Sequence, residues 1–465
     1  MQQTLELKAI DFKSLSEKGE DSMPNKIDLN NDYPIIEKSE EIYKRSLGLI
    51  PSNTQTLAKG PTQYVNGMAP KYLVKGKGSH VWDADGNEYI DYNMGIGPLS
   101  LGYAYPKIDE AIKKQLEDGI TFSLVHPLEV EVAEIIRDII PNAEMVRYSK
   151  TGADVTSAAV RLARAYTGKN KILCCGYHGW HDWYVSVTAR NHGIPEAVQA
   201  ITYTFDYNNI DSLKDSIDED TAAVILEPVV FQEPKDNFLQ KVADLCKEKG
   251  IVLIFDEMWT GFRMALGGAQ EYFGITPDLA TYSKAVANGM PISILTGKKE
   301  IMQLADEDIF FYTTFGGEAL SLAAVKATIT EMKEKNVQAY LDKQGAKLKD
   351  GYNKIAETLG MDYTKASGYN WRSIISFDAK AGDPLILKSL VQQEMIKRGV
   401  LWGGFHNMSF SHSDEDIEYT LKAYQQVLPI LKKAVEENNA KDLLRGKPVQ
   451  PVFRKTDNFN MKPRH

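Results

Sequence analysis

The sequence is poor in cysteine and has neither a long apolar run nor a strongly basic segment. Its three cysteines, Cys174, Cys175 and Cys246, are an odd and sparse set in a chain of 465 residues. Such a set is typical of reduced thiols and argues against a disulfide-stapled secreted domain, so we expect a cytoplasmic protein. The N-terminus mixes acids with bases and has no apolar core, which is unlike a secretory signal.

These absences also exclude classes of partner. No apolar stretch reaches the roughly 18 residues that a membrane-spanning helix requires, so we expect no membrane partner. The formal net charge of −9 is the opposite of the basic face that nucleic-acid binding needs. What the chain does contain is an average share of hydrophobic residues, 43%, which is enough for a large buried core.

Changes in polarity and periodicity divide the chain into successive regions, and its length allows about two or three domains. We predict a polar tail or arm (1–34), a segment with a helix and a hairpin that joins the small domain (35–104), a large domain (105–330), a small α+β domain (331–440) and a C-terminal tail (441–465). The large domain alternates helical patterns with strands, which is typical of an α/β fold.

Short, continuous apolar runs predict the strands of the large domain. They are KILCC (171–175), AAVIL (222–226), IVLIF (251–255) and LATY (279–282). None shows the alternation of a half-exposed strand, and helical segments separate them. We therefore predict a mostly parallel central sheet sandwiched by helices.

Helical periodicity and turn residues predict the elements around this sheet. Helices are expected over residues 38–50, 105–119, 126–141, 151–168, 338–360 and 414–438. The turn Asp85-Gly86 predicts a hairpin. Residues 371–377 predict a short strand in the small domain.

Chemically useful side chains follow the predicted strands where they end. Glu227 follows the second run, Asp256 the third and Lys284 the fourth. The first run leads through a glycine to Tyr177. Ligands of open α/β sheets bind outside the carboxyl ends of the strands. A single acid there is often only a helix N-cap, but an amine, two carboxylates and an aromatic together favour a ligand site.

The segment before the sheet adds an anion site. Thr151, Gly152 and Ala153 open a predicted helix, where exposed N–H groups and the helix dipole favour a phosphate. Pyridoxal phosphate needs such a cradle, a lysine for its Schiff base and an acidic partner for its pyridine nitrogen. It also needs an aromatic beside its ring. The residues above supply all of these, so we predict pyridoxal 5'-phosphate as the cofactor.

The stretch VLIFDEMWTGFRMALGGAQEYFGITPDLATYSKAVANGMPISILTGKKEIM (252–302) resembles the core of class III aminotransferases. It is most similar to glutamate-1-semialdehyde 2,1-aminomutases and their aminotransferase relatives. Further matching stretches are residues 83–106, 151–168, 177–179, 226–229 and 313–324. The resemblance implies a fold-type I pyridoxal-phosphate-dependent transferase, with a large cofactor-binding domain and a smaller C-terminal domain.

The resemblance also implies roles for individual residues. Lys284 is expected to form the Schiff base with the cofactor and then to act as general base and acid. Asp256 is expected to pair with the pyridine nitrogen and Tyr177 to stack on the ring. The N–H groups of Gly152 and Ala153 are expected to hold the phosphate.

Three further positions extend or qualify this pattern. Glu227 corresponds to a residue that lies near the cofactor in relatives. Thr314 resembles the residue that reaches the phosphate from the neighbouring subunit, which implies a homodimer with shared active sites. At Ala153, relatives usually have a Thr or Ser hydroxyl that adds a phosphate bond, and Thr151 is the expected substitute.

Pocket residues bear on the choice between two reactions of the family. Mutases have Ser-Pro-Val-Arg where this chain has a different run (50–59), Phe-Glu where it has Phe405-His406, and His where it has Trp180. These departures favour an aminotransferase, which passes an amino group through Lys284 from a small-molecule donor to an aldehyde or ketone acceptor, such as a sugar-derived compound. The alternatives are the intramolecular aminomutase and a non-catalytic protein that binds the cofactor.

Several other residues have both structural and functional interpretations. Trp180, Arg263 and His406 are the candidates for substrate contacts. Arg263 and Arg372 are each expected to meet either a substrate carboxylate or a structural ion-pair partner.

Two weaker motifs carry no prediction. His178, His181 and Asp182 lie close together, but nothing fixes them on one helix face, so we predict no metal site. Gly95 and Gly97 lack the third glycine and the preceding strand of a dinucleotide-binding loop, which argues against an oxidoreductase.

Overall fold

The computed structural model describes residues 27–229 and 232–451. The predicted tail 1–34 lies outside the described residues as far as residue 26, and the tail 441–465 lies outside them from residue 452 onwards. Within the described ranges, no helix is long and apolar enough to cross a membrane.

Strands and helices alternate along much of the described chain. The strands are β1 (Leu73–Lys77), β2 (His80–Asp83), β3 (Glu88–Asp91), β4 (Met145–Ser149), β5 (Lys171–Cys175), β6 (Thr202–Thr204), β7 (Thr221–Leu226), β8 (Val252–Asp256), β9 (Leu279–Tyr282), β10 (Ser293–Gly297), β11 (Thr364–Tyr369), β12 (Arg372–Phe377), β13 (Val400–Leu401) and β14 (Phe405–Asn407). The helices are α1 (Glu37–Ser46), α2 (Pro106–Asp118), α3 (Pro127–Ile139), α4 (Gly152–Thr167), α5 (Asp182–Val185), α6 (Glu196–Gln199), α7 (Ile210–Lys214), α8 (Phe238–Lys249), α9 (Gly268–Phe273), α10 (Lys299–Met302), α11 (Ala319–Glu334), α12 (Val337–Thr358), α13 (Pro384–Lys397) and α14 (Asp414–Glu436). Short 3₁₀ turns cover Pro51–Asn53, Leu57–Lys59, Pro61–Gln63, Met94–Ile96, Lys284–Ala287, Gln303–Ala305 and Ala379–Ala381.

The central sheet has seven strands in the described chain, in the order β4-β10-β9-β8-β7-β5-β6. β10 runs antiparallel to both of its neighbours, and the remaining pairs are parallel. Successive side chains point to opposite faces: Val224 and Leu226 enter one buried cluster, and Ala223 and Ile225 enter another. Both faces are therefore buried, which explains the continuous apolar runs and confirms the predicted α/β sheet.

Two smaller sheets complete the fold. β1, β2 and β3 form an antiparallel meander that contains the predicted turn Asp85-Gly86, and β13 joins it parallel to β3. The Asp85 carboxylate accepts hydrogen bonds from the N–H groups of Lys38 (2.7 Å) and Ser39 (2.9 Å), which fastens the start of α1. β11, β12 and β14 form a third, antiparallel sheet that packs against α12 and α13.

Both described ends of the chain pack on α13. The Tyr33 hydroxyl is hydrogen bonded to Glu394, and the Arg445 guanidinium lies 4.1 Å from the centre of the Tyr33 ring. The N–H of Val449 donates to the Ser389 hydroxyl at 3.0 Å. The two ends of the described chain thus cover the same helix.

Some elements differ from the sequence-based expectation. β4, β6 and β10 were not predicted: β6 has only three residues, and β10 is fully buried but has only two consecutive apolar residues, Ile294 and Leu295. The helix expected over residues 38–50 ends at Ser46. Gly48 lies just beyond it with φ 79°, in the left-handed region that commonly terminates helices.

Candidate active site

Neighbouring strand ends of the central sheet bring the predicted edge residues together. Cys175 pairs with Leu226 and Leu226 with Phe255, so β5, β7 and β8 end level with one another. The residues at or just beyond the ends of β5, β7, β8 and β9 are Tyr177, Glu227, Asp256 and Lys284. They share the carboxyl edge of the sheet, where ligands of such folds bind.

A buried carboxylate–imidazole pair lies at the end of β8. Asp256 and His178 are 1% and 2% exposed, and the Asp256 Oδ2 lies 2.7 Å from the His178 Nδ1. The His178 Nε2 lies 3.2 Å from the backbone oxygen of Cys175, which can only accept, so this nitrogen donates. The Asp256 Oδ1 accepts from the Met258 N–H (3.2 Å) and the Thr281 hydroxyl (3.4 Å). Asp256 is thereby held in one orientation.

Lys284 begins the 3₁₀ turn that follows β9, with its backbone in the left-handed region at φ 44°. A residue with a side chain is strained there, and such strain concentrates at functional sites. Its Nζ lies 4.4 Å from the centre of the Trp259 ring. Burial lowers the pKa of Lys284 to about 8, although the charges of Asp256 and Glu227 act in the opposite direction. An appreciable fraction of the amine is therefore unprotonated near neutral pH.

Glu227 is buried beneath the backbone of Tyr177. Its Oε1 accepts the Tyr177 N–H at 2.7 Å, and Gly176 allows this approach because a Cβ there would lie 2.8 Å from the same oxygen. Burial and the charge of Asp256 raise the pKa of Glu227. The Tyr177 ring is 41% exposed and meets Tyr184 edge-on at 5.5 Å. Tyr177 therefore presents an aromatic surface at the edge.

The N-terminus of α4 forms a second part of the site. The Thr151 hydroxyl accepts the Asp154 N–H at 3.4 Å, and the Asp154 carboxylate accepts the Thr151 N–H at 2.7 Å. The N–H groups of Gly152 and Ala153 make no backbone hydrogen bond within the described chain. A Cβ at Gly152 would lie 2.9 Å from the Met258 sulfur. Two N–H groups at a helix start thus lie beside the residues that follow β8.

The two arginines predicted as carboxylate partners are held differently. Arg263 is 2% exposed and donates to the backbone oxygens of Trp259 (2.9 Å) and Gly97 and to the Ser100 hydroxyl (3.2 Å). It therefore supports the loop that contains Gly97. The Arg372 Cζ lies 3.5 Å from the centre of the Trp259 ring.

The remaining predicted residues are not drawn into this group. His406 is fully buried, and its ring nitrogens lie 2.9 Å from the Ser373 hydroxyl and 2.8 Å from the Tyr424 hydroxyl. Burial lowers the pKa of His406 to about 3, so the ring is neutral and has no nitrogen left for a substrate. Trp180 is 71% exposed. Thr314 lies in an exposed loop before α11.

Sequence reasoning did not assign His178, Met258 and Trp259 to the site. His178 was considered only as a metal ligand, whereas it holds Asp256. Their positions in the sequence could have identified them, because His178 directly follows Tyr177, and Met258 and Trp259 lie within three residues of Asp256.

Comparisons with known proteins agree with this geometry. The family model described as Aminotransferase class-III matches residues 63–411. The chain is 35% identical over 411 residues to the 3-aminobutyryl-CoA aminotransferase of Cloacimonas acidaminovorans (strain Evry), covering 86% of this chain and 98% of that protein. It is 36% identical over 417 residues to a glutamate-1-semialdehyde 2,1-aminomutase of Persephonella marina, covering 81% and 97%. The PLP internal aldimine form of the Sphingopyxis sp. MTA144 FumI protein matches with a TM-score of 0.80 and 29% identity, covering 86% and 97%.

The fold and the sheet edge define a pyridoxal-phosphate-dependent transferase of fold type I. The chain belongs to the class III aminotransferase family; it is an enzyme, and pyridoxal phosphate is its cofactor. The residues present fit that group. The Lys284 amine, with its lowered pKa, suits the aldehyde of the cofactor, and the oriented Asp256 carboxylate suits its pyridine nitrogen. The start of α4, where Gly152 has no side chain, suits its phosphate.

Proposed function

We propose that the protein is an aminotransferase that moves an amino group from a small-molecule donor to an aldehyde or ketone acceptor by a ping-pong mechanism. The observation that carries this proposal is the Lys284 amine, with its pKa lowered to about 8, at the same sheet edge as the Asp256 and Glu227 carboxylates. When bound, pyridoxal phosphate supplies the carbonyl that takes up the amino group and an electron sink for the reacting carbon.

The residues nearest the chemistry have separate proposed tasks. Lys284 Nζ removes the proton from the donor carbon that carries the amino group. In the half-reaction of the acceptor, it delivers a proton to the carbonyl carbon that receives the amino group. Asp256, oriented by His178, pairs with the pyridine nitrogen of the cofactor. The N–H groups of Gly152 and Ala153 bind its phosphate.

The surrounding residues have supporting tasks. Tyr177 packs on the cofactor ring, and Glu227 fixes the backbone that carries this ring through its 2.7 Å hydrogen bond. Thr151 is engaged in the α4 cap with Asp154. We therefore propose that Thr151 acts by holding the helix start in place, so that backbone N–H groups compensate for the hydroxyl that is missing at Ala153.

We also propose a homodimer in which Thr314 reaches the cofactor phosphate of the neighbouring subunit. Exposed apolar side chains occupy its loop and an adjoining one: Phe310 (77%), Phe315 (58%), Leu124 (85%) and Val125 (81%). The loops adjoin because the Ala319 N–H donates to the Ile120 oxygen at 2.9 Å. Such a patch marks an interface, and a second copy is the occupant that the expected role of Thr314 requires.

The dimer has a direct test. Light scattering of the purified protein is expected to give twice the chain mass, and Phe315→Asp is expected to yield monomers that retain less cofactor after dialysis. Monomeric wild-type protein with full activity would rule out a shared site.

We also propose a cytoplasmic location, which the three thiols support. Cys174, Cys175 and Cys246 are all buried, and no disulfide bond links them. Reduced thiols are typical of that compartment. Immunolocalisation or fractionation of cells that produce the protein would test the assignment.

The half-reactions can be observed separately. The wild-type holoenzyme is expected to absorb visible light, to lose that band when an amino donor is added alone, and to regain it with a keto acceptor. Lys284→Ala is expected to lose this cycle, because it removes the amine that follows β9 at the sheet edge. An unchanged band with every donor of a broad panel would refute the aminotransferase assignment and favour a non-catalytic cofactor-binding protein.

The aminomutase is the second candidate, because several relatives at 33% to 37% identity have that name. Glutamate 1-semialdehyde discriminates between the two reactions. An aminomutase converts it to 5-aminolevulinate with no separate donor or acceptor. We expect no such conversion at an enzymatic rate, and rapid conversion would replace the aminotransferase with the aminomutase.

A further inference from the structure

Trp259 forms a rigid platform beside Lys284. It lies three residues after Asp256, and a Cβ at Gly97 would be 2.4 Å from its Cζ3, so the backbone of Gly97 lies directly against the ring. The Arg263 guanidinium donates to the Trp259 backbone oxygen at 2.9 Å and to the Gly97 oxygen as well. Both the ring and its backbone are therefore fixed.

Two cationic groups share this platform. Because Lys284 Nζ lies 4.4 Å and Arg372 Cζ lies 3.5 Å from the centre of the same ring, the two groups are less than about 8 Å apart. At 3.5 Å, the planar guanidinium lies over the ring face. A guanidinium that stacks by its face directs its N–H groups outward in its own plane, the geometry that matches a carboxylate.

The charges around Lys284 favour an additional anion. Asp256 and Glu227 are the acids that act on its amine, and both already accept hydrogen bonds, from His178 and from the Tyr177 N–H. Three cationic side chains, Lys284, Arg263 and Arg372, accompany these two carboxylates. Burial lowers the pKa of Arg372 to about 10, and the charge of Glu227 acts in the opposite direction. A substrate carboxylate would balance this cluster.

Arg263 fixes the platform. Its guanidinium donates to Trp259, Gly97 and Ser100. Those contacts hold the loop and the platform, so Arg263 acts through Trp259.

We propose that Arg372, stacked on Trp259, binds a free carboxylate of the amino donor or of the keto acid formed from it. The proposal rests on the aminotransferase function given above. It assigns as substrate class amino acids whose carboxylate lies within a few bonds of the reacting amine, and it disfavours uncharged amines and carboxyl derivatives such as amides or thioesters.

The test compares matched donors. Each α-, β- or γ-amino acid is paired with its amide and with the amine of the same carbon skeleton that lacks the carboxylate. The rate of loss of the cofactor's visible band gives kcat/KM for each donor. Wild type is expected to prefer the acids, and Arg372→Gln is expected to reduce the acid-to-amine ratio of kcat/KM by about 10- to 100-fold, as for a lost charged hydrogen bond.

Further variants separate binding from folding. Arg372→Lys keeps the charge without the planar fork, so its ratio should lie between those of wild type and Arg372→Gln. Arg137→Lys is the matched control, because the Arg137 side chain is 60% exposed on α3, and it should leave the acid-to-amine ratio unchanged. Butyrate, an unreactive carboxylate, should inhibit wild type competitively and should inhibit Arg372→Gln more weakly.

The outcomes distinguish failure of the proposed aminotransferase function from failure of the proposed carboxylate site. If no donor changes the wild-type band, the aminotransferase function itself fails. If donors react but the accepted ones are uncharged, or if Arg372→Gln alters acids and amines equally, only the carboxylate site fails. If Arg372→Gln does not fold, the test uses Arg372→Lys. A reduced acid-to-amine ratio in Arg372→Lys supports the proposal. The proposal is overturned if both the ratio and the inhibition by butyrate are unchanged in that variant.

Discussion

Two histidine–carboxylate pairs in this chain share their chemistry and differ in their surroundings. His178 meets Asp256 at 2.7 Å with both side chains buried. The His80 Nε2 meets Asp416 at 3.0 Å and its Nδ1 meets Glu88 at 2.8 Å, with 28% of the His80 side chain exposed. The first pair lies at the carboxyl edge of the central sheet, whereas the second joins β2 to the first turn of α14.

The other contacts of each carboxylate explain the difference. Asp416 also accepts the Ser79 hydroxyl at 2.7 Å and the Ser413 N–H at 3.1 Å, which caps α14. Its bonds therefore connect structural elements. Asp256 ends a strand beside Lys284, and the same kind of bond there orients a carboxylate toward a ligand site. The same histidine–carboxylate bond therefore serves different purposes at different places in the fold.

Among variants of the two pairs, Asp256→Asn should have the largest effect on activity. The amide keeps the shape and loses the charge that we propose to pair with the pyridine nitrogen, so we expect kcat to fall by about 100- to 1,000-fold. Rapid mixing of holoenzyme with a donor measures this step. Asp416→Asn is the matched control and should leave kcat per folded molecule unchanged; equal losses in both variants would contradict the distinction between the pairs.

His178→Ala should have the next largest effect. Removing a partner that orients a functional group typically costs about 10- to 100-fold. Because His178 acts through Asp256, we also expect the pH dependence of the cofactor's visible band to change, and His178→Asn, which restores a donor near Nδ1, to recover part of the loss. His80→Ala should leave the band unaltered. A band that responds to neither His178 variant would indicate a purely structural pair.

Lys284 should make cofactor capture depend on pH. Burial lowers its pKa to about 8, and only the unprotonated amine reacts with the cofactor aldehyde. The rate at which cofactor-free protein takes up pyridoxal phosphate should therefore rise about tenfold between pH 7 and pH 9 and then level off. Stopped-flow absorbance follows the uptake. A rate independent of pH across this interval would contradict the lowered pKa.

The His80 pair should affect stability and not activity. Burial opposes its charge, but hydrogen bonds and charges of Asp416 and Glu88 raise the pKa of His80 to about 9 from 6.5. Burial also opposes the charge of Asp416, yet contacts led by His80 lower its pKa to about 2 from 3.8. The His80 contribution is complete below pH 6.5 and is lost as pH rises through 9; the Asp416 contribution is complete above pH 3.8 and is lost as pH falls through 2.

The corresponding measurement is chemical denaturation across pH. His80→Gln should lower the free energy of unfolding by about 1 to 2 kcal/mol between pH 4 and 6.5. This gap between wild type and variant should narrow above pH 9. The same measurement on His178→Gln serves as the comparison, because the His178–Asp256 pair lies at the active site and has different hydrogen-bond partners. A gap for His80→Gln that widens at high pH would contradict the sign of this linkage.

Local sequence was sufficient to predict the main strands and the residues that follow them. The runs that became β7, β8 and β9 are apolar throughout because both of their faces are buried. Their ends therefore identified Glu227, Asp256 and Lys284 as neighbours. β10 was missed because Ser293, Thr296 and Gly297 leave it with only two consecutive apolar residues, although the whole strand is buried.

Tertiary structure alone decided which similar side chains have which partners. His178 and Asp256 lie 78 positions apart in the chain, so no local pattern pairs them. His406 was a substrate candidate by position, but packing buries it against Tyr424. Arg263 and Arg372 are indistinguishable by residue type. Only the fold directs one to backbone oxygens and stacks the other on Trp259, because burial and hydrogen-bond partners depend on contacts between distant segments.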